Sequence, residues 1–488
     1  MRYFMSYPDT LTSSLSQNKE IFQSIFPIGS SFDFITRDLS LGSTPCFFLG
    51  LNGLCDLEIM LLLFSDIQAP DFQAKAEQNG AALPQYVKDQ FLYAQISFSS
   101  SIQELTKSVL CGPCILLIDG YDQALIIDTR KYPTRSTEEP DTEKVIQGAK
   151  DGFVESLLTN CNLIRRRLRS PNLTFAIHSV GTLSQTDVAV SYVKGHCDER
   201  LLQKIEATLD SLDTSALTMG IQSLKELLNK KSMFHPMPDS YLTQRPDVAC
   251  SYLAEGYILL LVDNSPFALV LPCNIFQFTQ NPEDYYKSPL IGSYLRTVRF
   301  GCLIFSMFLM PLLLLFGQNP NWLPEIFQKL IPSDTTPLQL FIYILFVELG
   351  LDIFKYASAH SSSGFSGSFA IVGGLLIGDM AVNLEWANNE VIFYGAATLL
   401  ASMGITSVEL SDAIKIYRLF LILCTGFFPT WGFFAGLVLI FVSLITTPVF
   451  GNKSYFWPLF PFHWASLKTL LFRYPTFKAQ PENRKYLK

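Results

Sequence analysis

Residues Phe300–Phe316 form an apolar run without one charged side chain. No other feature constrains the fold as strongly, because such a run approaches the length of about 20 apolar residues that a bilayer crossing requires. Leu338–Ala357, Gly367–Leu384 and Val391–Thr406 are further runs of this kind. A longer one, Leu419–Phe450, is broken at its middle by Gly426, Pro429, Trp431 and Gly432. That break predicts two helices in a tight hairpin or one long kinked helix.

The charges keep out of this region. Residues 299–450 hold 14 of the chain's 79 charged side chains, residues 1–298 hold 57, and the last 38 residues hold 8. Net charge runs −9 over 1–298, −4 over 299–450 and +6 over the tail. The mean hydropathy of +0.26 therefore averages a polar half and an apolar half. A uniform globular enzyme does not fit this pattern. Nor does a nucleic-acid binder, since no basic domain stands out.

Three basic clusters set the expected topology. Lys287, Arg296 and Arg299 precede the first run, Lys415 and Arg418 precede the hairpin, and seven basic residues lie in the tail. If all are cytoplasmic, the number of crossings is even, so six passes or four plus a re-entrant hairpin are expected. The start of the chain lacks a signal-peptide core, so insertion is expected to begin at the first internal run. Ten cysteines in a reducing compartment call for no disulfide. The expected division is a cytoplasmic α/β subdomain over 1–135, a linking helix with a second α/β subdomain over 136–295, a helical transmembrane domain over 296–450, and a basic cytoplasmic tail over 451–488.

The polar half repeats itself. Cys114–Asp128 and Ile258–Pro272 align at an offset of 144, with Asp119 on Asp263, Ala124 on Ala268 and Leu125 on Leu269. In each, apolar strand residues flank a short turn, which is a hairpin pattern. Gly53–Asp56 echoes Gly195–Asp198 at an offset of 142, each after an apolar run and before a helical pattern. Two echoes at nearly one offset predict duplicated α/β subdomains over about 30–130 and 173–273. Between them, Phe153, Leu157, Cys161, Ile164 and Leu168 share one face of a predicted linking helix.

Motifs for chemistry are few. Cys111-Gly-Pro-Cys114 has the thioredoxin-type spacing but leads directly into a strand, whereas that chemistry places the first Cys at a helix N-terminus. A turn with two buried thiols is expected instead. None of the five histidines stands at metal-ligand spacing, and no phosphate loop, dinucleotide fingerprint or nucleophile elbow occurs. No enzymatic activity, metal or cofactor is expected. Arg165, Arg166, Arg167 and Arg169 end the linking helix, suiting either a solvated face at the negative end of the helix dipole or a subunit interface. In the second case the upstream acids Glu138 and Glu139 would pair with them between like subunits of a ring.

Charges inside the apolar runs carry the sharpest signal. Glu348, Asp352 and Lys355 fall at i, i+4 and i+7 and share one helix face. Each costs roughly 2.5–3.5 kcal/mol at a bilayer centre, so that face must meet another helix or water. Asp379 follows Gly373, Gly374 and Gly378 in the third run, where small residues allow close packing. In the fourth run Ala397, Ala401, Gly404 and Ser407 make a narrow small-residue face, which suits a pore wall in a symmetric oligomer or ordinary helix packing. A pore lined by acids would favour cations.

Residues 129–172, TRKYPTRSTEEPDTEKVIQGAKDGFVESLLTNCNLIRRRLRSPN, closely resemble the hallmark segment of the spore germination GerA-type A-subunit family. The resemblance continues through Arg245–Val248, Pro282–Tyr286, Ser288–Gly292, Ile371–Gly378, Glu409, Leu410 and Arg418, and so covers nearly the whole chain. Within the family, Tyr455–Phe462 with Trp464 and the basic end resemble one branch whose tails differ from those of germinant receptors. The resemblance implies a multi-pass protein of the spore inner membrane that acts in germination. It implies an oligomeric ring conducting monovalent cations, with a small membrane protein and germinant receptors as partners. A receptor subunit sensing a small nutrient, or a non-conducting scaffold, are the alternatives. Glu348 and Asp352 match acidic family positions and Lys355 a basic one. Gly404, Thr406 and Asp379 depart from the family pattern.

Overall fold

The computed structural model describes residues 8–473 except 80–81, 92–94, 133–147, 230–234, 333–334, 361–382, 384–386, 448 and 451–454. Glu138, Glu139, Asp379 and the third apolar run except Asn383 lie outside the described residues. The chain divides into two compact units. One, with Met1–Lys230 and Ser240–Pro272, contains both β-sheets, and the other is made of Lys231–Asp239 and Cys273–Ala479.

In the first unit, β1 (Phe34–Leu41), β2 (Thr44–Leu51), β3 (Gln95–Ser99), β4 (Cys114–Ile118) and β5 (Ala124–Asp128) form a sheet ordered β1-β2-β4-β5-β3. A second sheet is built from β6 (Leu173–Val180), β7 (Thr186–Val193), β8 (Tyr241–Thr243), β9 (Ile258–Val262) and β10 (Ala268–Leu271), ordered β6-β7-β9-β10-β8. All neighbouring strands are antiparallel, and the order is the same in both sheets. The two predicted hairpins are β4–β5 and β9–β10. β4 (CILLI) and β9 (ILLLV) are the middle strands and are buried along their whole length, as their unbroken apolar runs require.

Helices α1 (Leu15–Ile25), α2 (Leu57–Gln68) and α3 (Ile102–Cys111) accompany the first sheet, and α4 (Leu157–Arg167), α5 (Glu199–Asp210) and α6 (Pro246–Glu255) the second. The Gly53–Asp56 echo has a local cause. Gly53 and Gly195 both take φ +78°, turning the chain out of β2 and β7. Asp56 and Asp198 then cap α2 and α5 by accepting backbone N–H bonds.

The predicted linking helix is α4, and it repeats the contacts of α1. Asn18 Oδ1 accepts from Thr12 N at 3.0 Å and its Nδ2 donates to Thr12 O at 2.7 Å. Asn160 does the same with Val154 at 2.8 and 2.6 Å. Asp119 accepts from Leu15 N at 2.9 Å, and Asp263 from Leu157 N at 3.2 Å. The helix is shorter than its apolar pattern: Phe153 is buried ahead of it, and Leu168 is its C-cap.

Arg165 ties α4 to the segment before β1 and to the start of β6. Its side chain is fully buried, with Nε 2.8 Å from Asp33 Oδ2. The other nitrogens donate to Ser170 O at 3.0 Å and Leu173 O at 2.9 Å. The guanidinium also lies 5.4 Å and 5.1 Å from the ring centres of Phe34 and Phe175. Ser31 Oγ donates to Asp33 at 2.6 Å and accepts from Phe175 N at 2.9 Å, so the buried carboxylate is held on both oxygens.

The second unit is helical: α7 (Pro289–Gln318), α8 (Pro337–His360), α9 (Asn389–Met403), α10 (Val408–Phe427), α11 (Trp431–Thr446) and α12 (Trp464–Leu471). Among the described residues, α7 and the Pro337–Tyr356 part of α8 are long and apolar enough to cross a membrane. Met310, Leu314, Leu340, Ile344, Val347, Val391 and Ile422 form the shared core of α7–α10. The broken run is a helical hairpin: α10 stops at Phe427, Thr430 turns at φ +63°, and α11 starts at Trp431. A Cβ on Gly432 would stand 1.9 Å from the Cys424 carbonyl oxygen, so the hairpin closes only around glycine.

Replacing Arg165 by Met leaves the Asp33 charge buried and unpaired, and is expected to cost about 3–5 kcal/mol. Denaturant unfolding of the detergent-solubilised full chain checks this. Combining it with Asp33→Leu should recover most of the loss.

Candidate functional site: an ion-pair ladder between two helices

The face of Glu348, Asp352 and Lys355 meets a helix. α10 runs antiparallel to α8 and carries Asp412, Lys415 and Arg418 at successive i+3 steps, in complementary charge order. Glu348 pairs with Arg418 at 2.8 Å, Asp352 with Lys415 at 2.7 Å and Lys355 with Asp412 at 2.9 Å. The ladder grades from closed to open. The side chains of Glu348 and Arg418 are 1% and 7% exposed, against 29% and 27% for the middle rung's Lys415 and Asp352 and 40% and 56% for Lys355 and Asp412.

The deepest rung also engages α7. Arg418 donates one Nη to Glu348 Oε2 at 2.8 Å and the other to the Ser306 carbonyl at 2.8 Å, with Ser306 Oγ at 3.3 Å. Nε approaches Glu348 Oε1 within 2.8 Å, but out of line with its N–H bond, so Oε1 accepts no hydrogen bond. Ser306 and Glu348 are both buried, so this rung joins three helices by charge and hydrogen bonding in an apolar setting. While the rungs are closed, the two carboxylates are occupied by cationic side chains. An entering cation would have to displace Lys415 or Arg418.

The other predicted residues are spread. On α9, Ala397 and Ala401 are half-buried, whereas the outward face is Phe393, Ala396, Leu400 and Met403. α9 has 15 residues and spans about 22 Å, less than the roughly 30 Å hydrocarbon core. Gly404 is its C-cap, and a Cβ there would stand 2.7 Å from Cys302 Sγ. Ser407 caps α10 by accepting from Leu410 N at 3.3 Å. Packing and capping therefore account for Gly404 and Ser407. Of the four arginines, Arg165 is the internal tie described above. Arg167 pairs with Asp151 through Nη2, 2.6 Å from Oδ2. Arg166 is exposed over the Tyr132 ring, and Arg169 is exposed with Nη1 3.1 Å from Cys111 Sγ.

The basic residues flanking the first run also have internal partners. Arg296 and Arg299 converge on the fully buried Asp284, with contacts of 3.2 and 3.0 Å, and Lys287 pairs with Glu283 at 2.7 Å. Cys111 closes α3 at its C-terminal end, the wrong pole for a stabilised thiolate. It is half-buried, while Cys114 is fully buried with its Sγ 3.2 Å from that of Cys55. Hydrogen bonding to Cys55 and burial hold the Cys114 thiol well above its ordinary range, and burial pushes Cys46 up to about 12. Among the described residues, no group of three metal-binding side chains occurs. A cleft of ≈ 560 Å³ opens beside β3 and α3, lined by Gln95, Glu104, Lys107, Cys111, Asp128 and Arg130 among others.

Sequence reasoning found one side of the ladder and missed the other, having assigned Lys415 and Arg418 to the membrane flank. The i+3 repeat Asp412, Lys415, Arg418, read backwards against Lys355, Asp352, Glu348, was the available signal.

The profile of the Bacillus/Clostridium GerA spore germination protein family fits residues 20–485, and the chain belongs to that family. It is 31% identical to stage V sporulation protein AF of Bacillus subtilis (strain 168) over 468 residues, covering 96% of this chain and 94% of that protein. Spore germination protein KA of the same organism is 28% identical, covering 98% and 88%. The N-terminal domain of the A subunit of the Bacillus megaterium spore germinant receptor GerK3 is 25% identical with a TM-score of 0.41, covering 54% of this chain and 96% of that one.

Glu348→Gln leaves Arg418 buried beside a neutral partner and is expected to destabilise the helical unit by about 3–5 kcal/mol. Lys355→Ala, at the exposed rung, should cost under about 1 kcal/mol. Thermal unfolding of the two variants in detergent reads the contrast.

Proposed function

We propose that this chain is a spore germination membrane protein whose helical unit assembles into a ring and passes monovalent cations during germination. Its side chains are distributed inside out, which is the observation that carries the membrane reading. Ile304, Phe305, Ile342, Leu349, Ile353, Leu400, Val438 and Leu439 point outward, while Glu348, Arg418 and Ser306 point inward. Water favours the opposite arrangement, and hydrocarbon favours this one. The protein then lies in the spore inner membrane with both ends cytoplasmic.

In this reading the ladder is the gate. The Glu348–Arg418 rung holds α7, α8 and α10 in one arrangement, and the outer rungs, already half-open to solvent, exchange partners first. Ala397 and Ala401 form the pore wall where copies of α9 face one another, with Glu138, Glu139, Arg166 and Arg169 at the contacts between copies. A small membrane protein and germinant receptors are its partners. The equal strand order of the two sheets supports an origin by duplication.

A second reading is a receptor subunit that senses a small nutrient. The charged cleft beside β3 favours it, since its volume is in the range of small-molecule sites.

Purified protein in liposomes loaded with K⁺ or Na⁺ is the test. Flux is expected above that of protein-free liposomes, and Ala401→Trp should return it to that level. Glu348→Ala should alter its rate or gating. Unchanged flux in both variants sinks the residue roles, and no flux at all removes conduction. Spores lacking the protein should germinate more slowly with every germinant; loss with one germinant alone supports the second reading.

A further inference from the structure

The chain bears an aromatic surface that neither the gate nor the pore wall uses. Phe460 and Phe472 are half-exposed, and Phe462 and Trp464 are 65% and 63% exposed. The Phe462 and Trp464 rings stack on each other at 6.3 Å. All four belong to α12 or its flanks, beside the exposed Lys468.

This segment is firmly built. Tyr455 is fully buried and its carbonyl accepts from Ile275 N at 3.1 Å. Phe456 packs on Phe276 and Phe441 at 6.2 and 6.0 Å. His463 caps α12, accepting from Ser466 N at 3.3 Å. Arg296 donates to the Thr469 and Leu470 carbonyls at 3.3 and 3.2 Å, and Arg473 N donates to Ser293 Oγ at 3.0 Å. A buried arginine thus pins the end of α12 while the aromatic rings remain outside.

The pinning fixes a level along α7. At 1.5 Å per residue, Arg296 and Ser293 stand about 6 and 10 Å before Phe300, where the uncharged run begins. That is the depth of headgroups if the run enters hydrocarbon, and the depth at which tryptophan settles. The charge agrees: after Lys468 and Arg473, the sequence continues with Lys478, Arg484, Lys485 and Lys488 against the lone acid Glu482.

We propose that the Phe460–Phe472 face seats on acidic phospholipid headgroups at the polar end of α7, anchoring the basic tail to the membrane surface. The proposal rests on the membrane reading above. Each basic group near an anionic surface raises affinity for it about five-fold.

The test uses full-length protein in nanodiscs with Trp464 as its sole tryptophan, Trp322, Trp386, Trp431 and Trp457 being replaced by Phe. Lipids brominated near the headgroup end of the chain should quench Trp464 more than lipids brominated near the chain terminus. Brominated phosphatidylglycerol should outcompete brominated phosphatidylcholine, with the preference falling about five-fold in Lys468→Gln. Wild-type protein gives a second readout free of tryptophan changes: co-purifying phosphatidylglycerol should fall in Lys468→Gln. A parallel chain with Phe305→Trp as sole tryptophan reports on the membrane reading itself. If Phe305→Trp is quenched by lipid while Trp464 is reached by aqueous iodide, the anchoring is overturned and the membrane reading stands. If Trp464 is shielded from both lipid and iodide, protein covers the face and the anchoring is overturned. If lipid quenches neither reporter, both ideas fall.

Discussion

A carboxylate placed among apolar helices has to be neutralised where it stands, and the arrangement of the helical unit follows from that requirement. Glu348 is buried, so Arg418 is brought to it from another helix, and the second Nη of Arg418 then needs an acceptor of its own. The Ser306 carbonyl supplies it. Three helices are fixed by one charge pair, and the apolar core of α7–α10 closes around the result. The outer rungs need less because they are wetter, and they contribute register more than stability. Fixed register and modest strength suit an element that can change partners.

The sheet-bearing unit solves the same problem once. Arg165 and Asp33 join α4 to the segment before β1, with each guanidinium nitrogen engaged and two aromatic rings beside it. In both units a buried arginine reaches across elements distant in sequence and borrows backbone carbonyls to complete its bonding. Such ties are poor sources of net stability but strict about geometry, since a displaced partner leaves a bare charge in the interior.

Much of this was legible beforehand. The hairpins of β4–β5 and β9–β10, the Gly-to-Asp turns into α2 and α5, and the break at Pro429–Gly432 are written in local patterns, and local patterns act over a few residues. The one-sided placement of Glu348, Asp352 and Lys355 was legible for the same reason, because helical periodicity alone sets it. Their partners were not, because Arg418 lies 70 residues away and its pairing depends on how α10 is laid against α8. Arg165 was hidden by its neighbours: a run of basic residues suggests solvent, yet Arg165 turns inward while Arg166 and Arg167 do not.

The sequence by itself determined the elements: which runs are strands or helices, where they turn, that the sheet-forming pattern occurs twice, and that charge is scarce in residues 299–450. Periodicity, turn chemistry and hydropathy are properties of neighbouring residues, so no fold is needed to read them. Only the tertiary structure decided what each buried charge answers to. It paired Glu348 with Arg418 and Arg165 with Asp33, and gave Gly404 and Ser407 to packing and capping. The physical reason is that an ion pair's energy depends on distance and burial, and neither exists until remote segments are packed together.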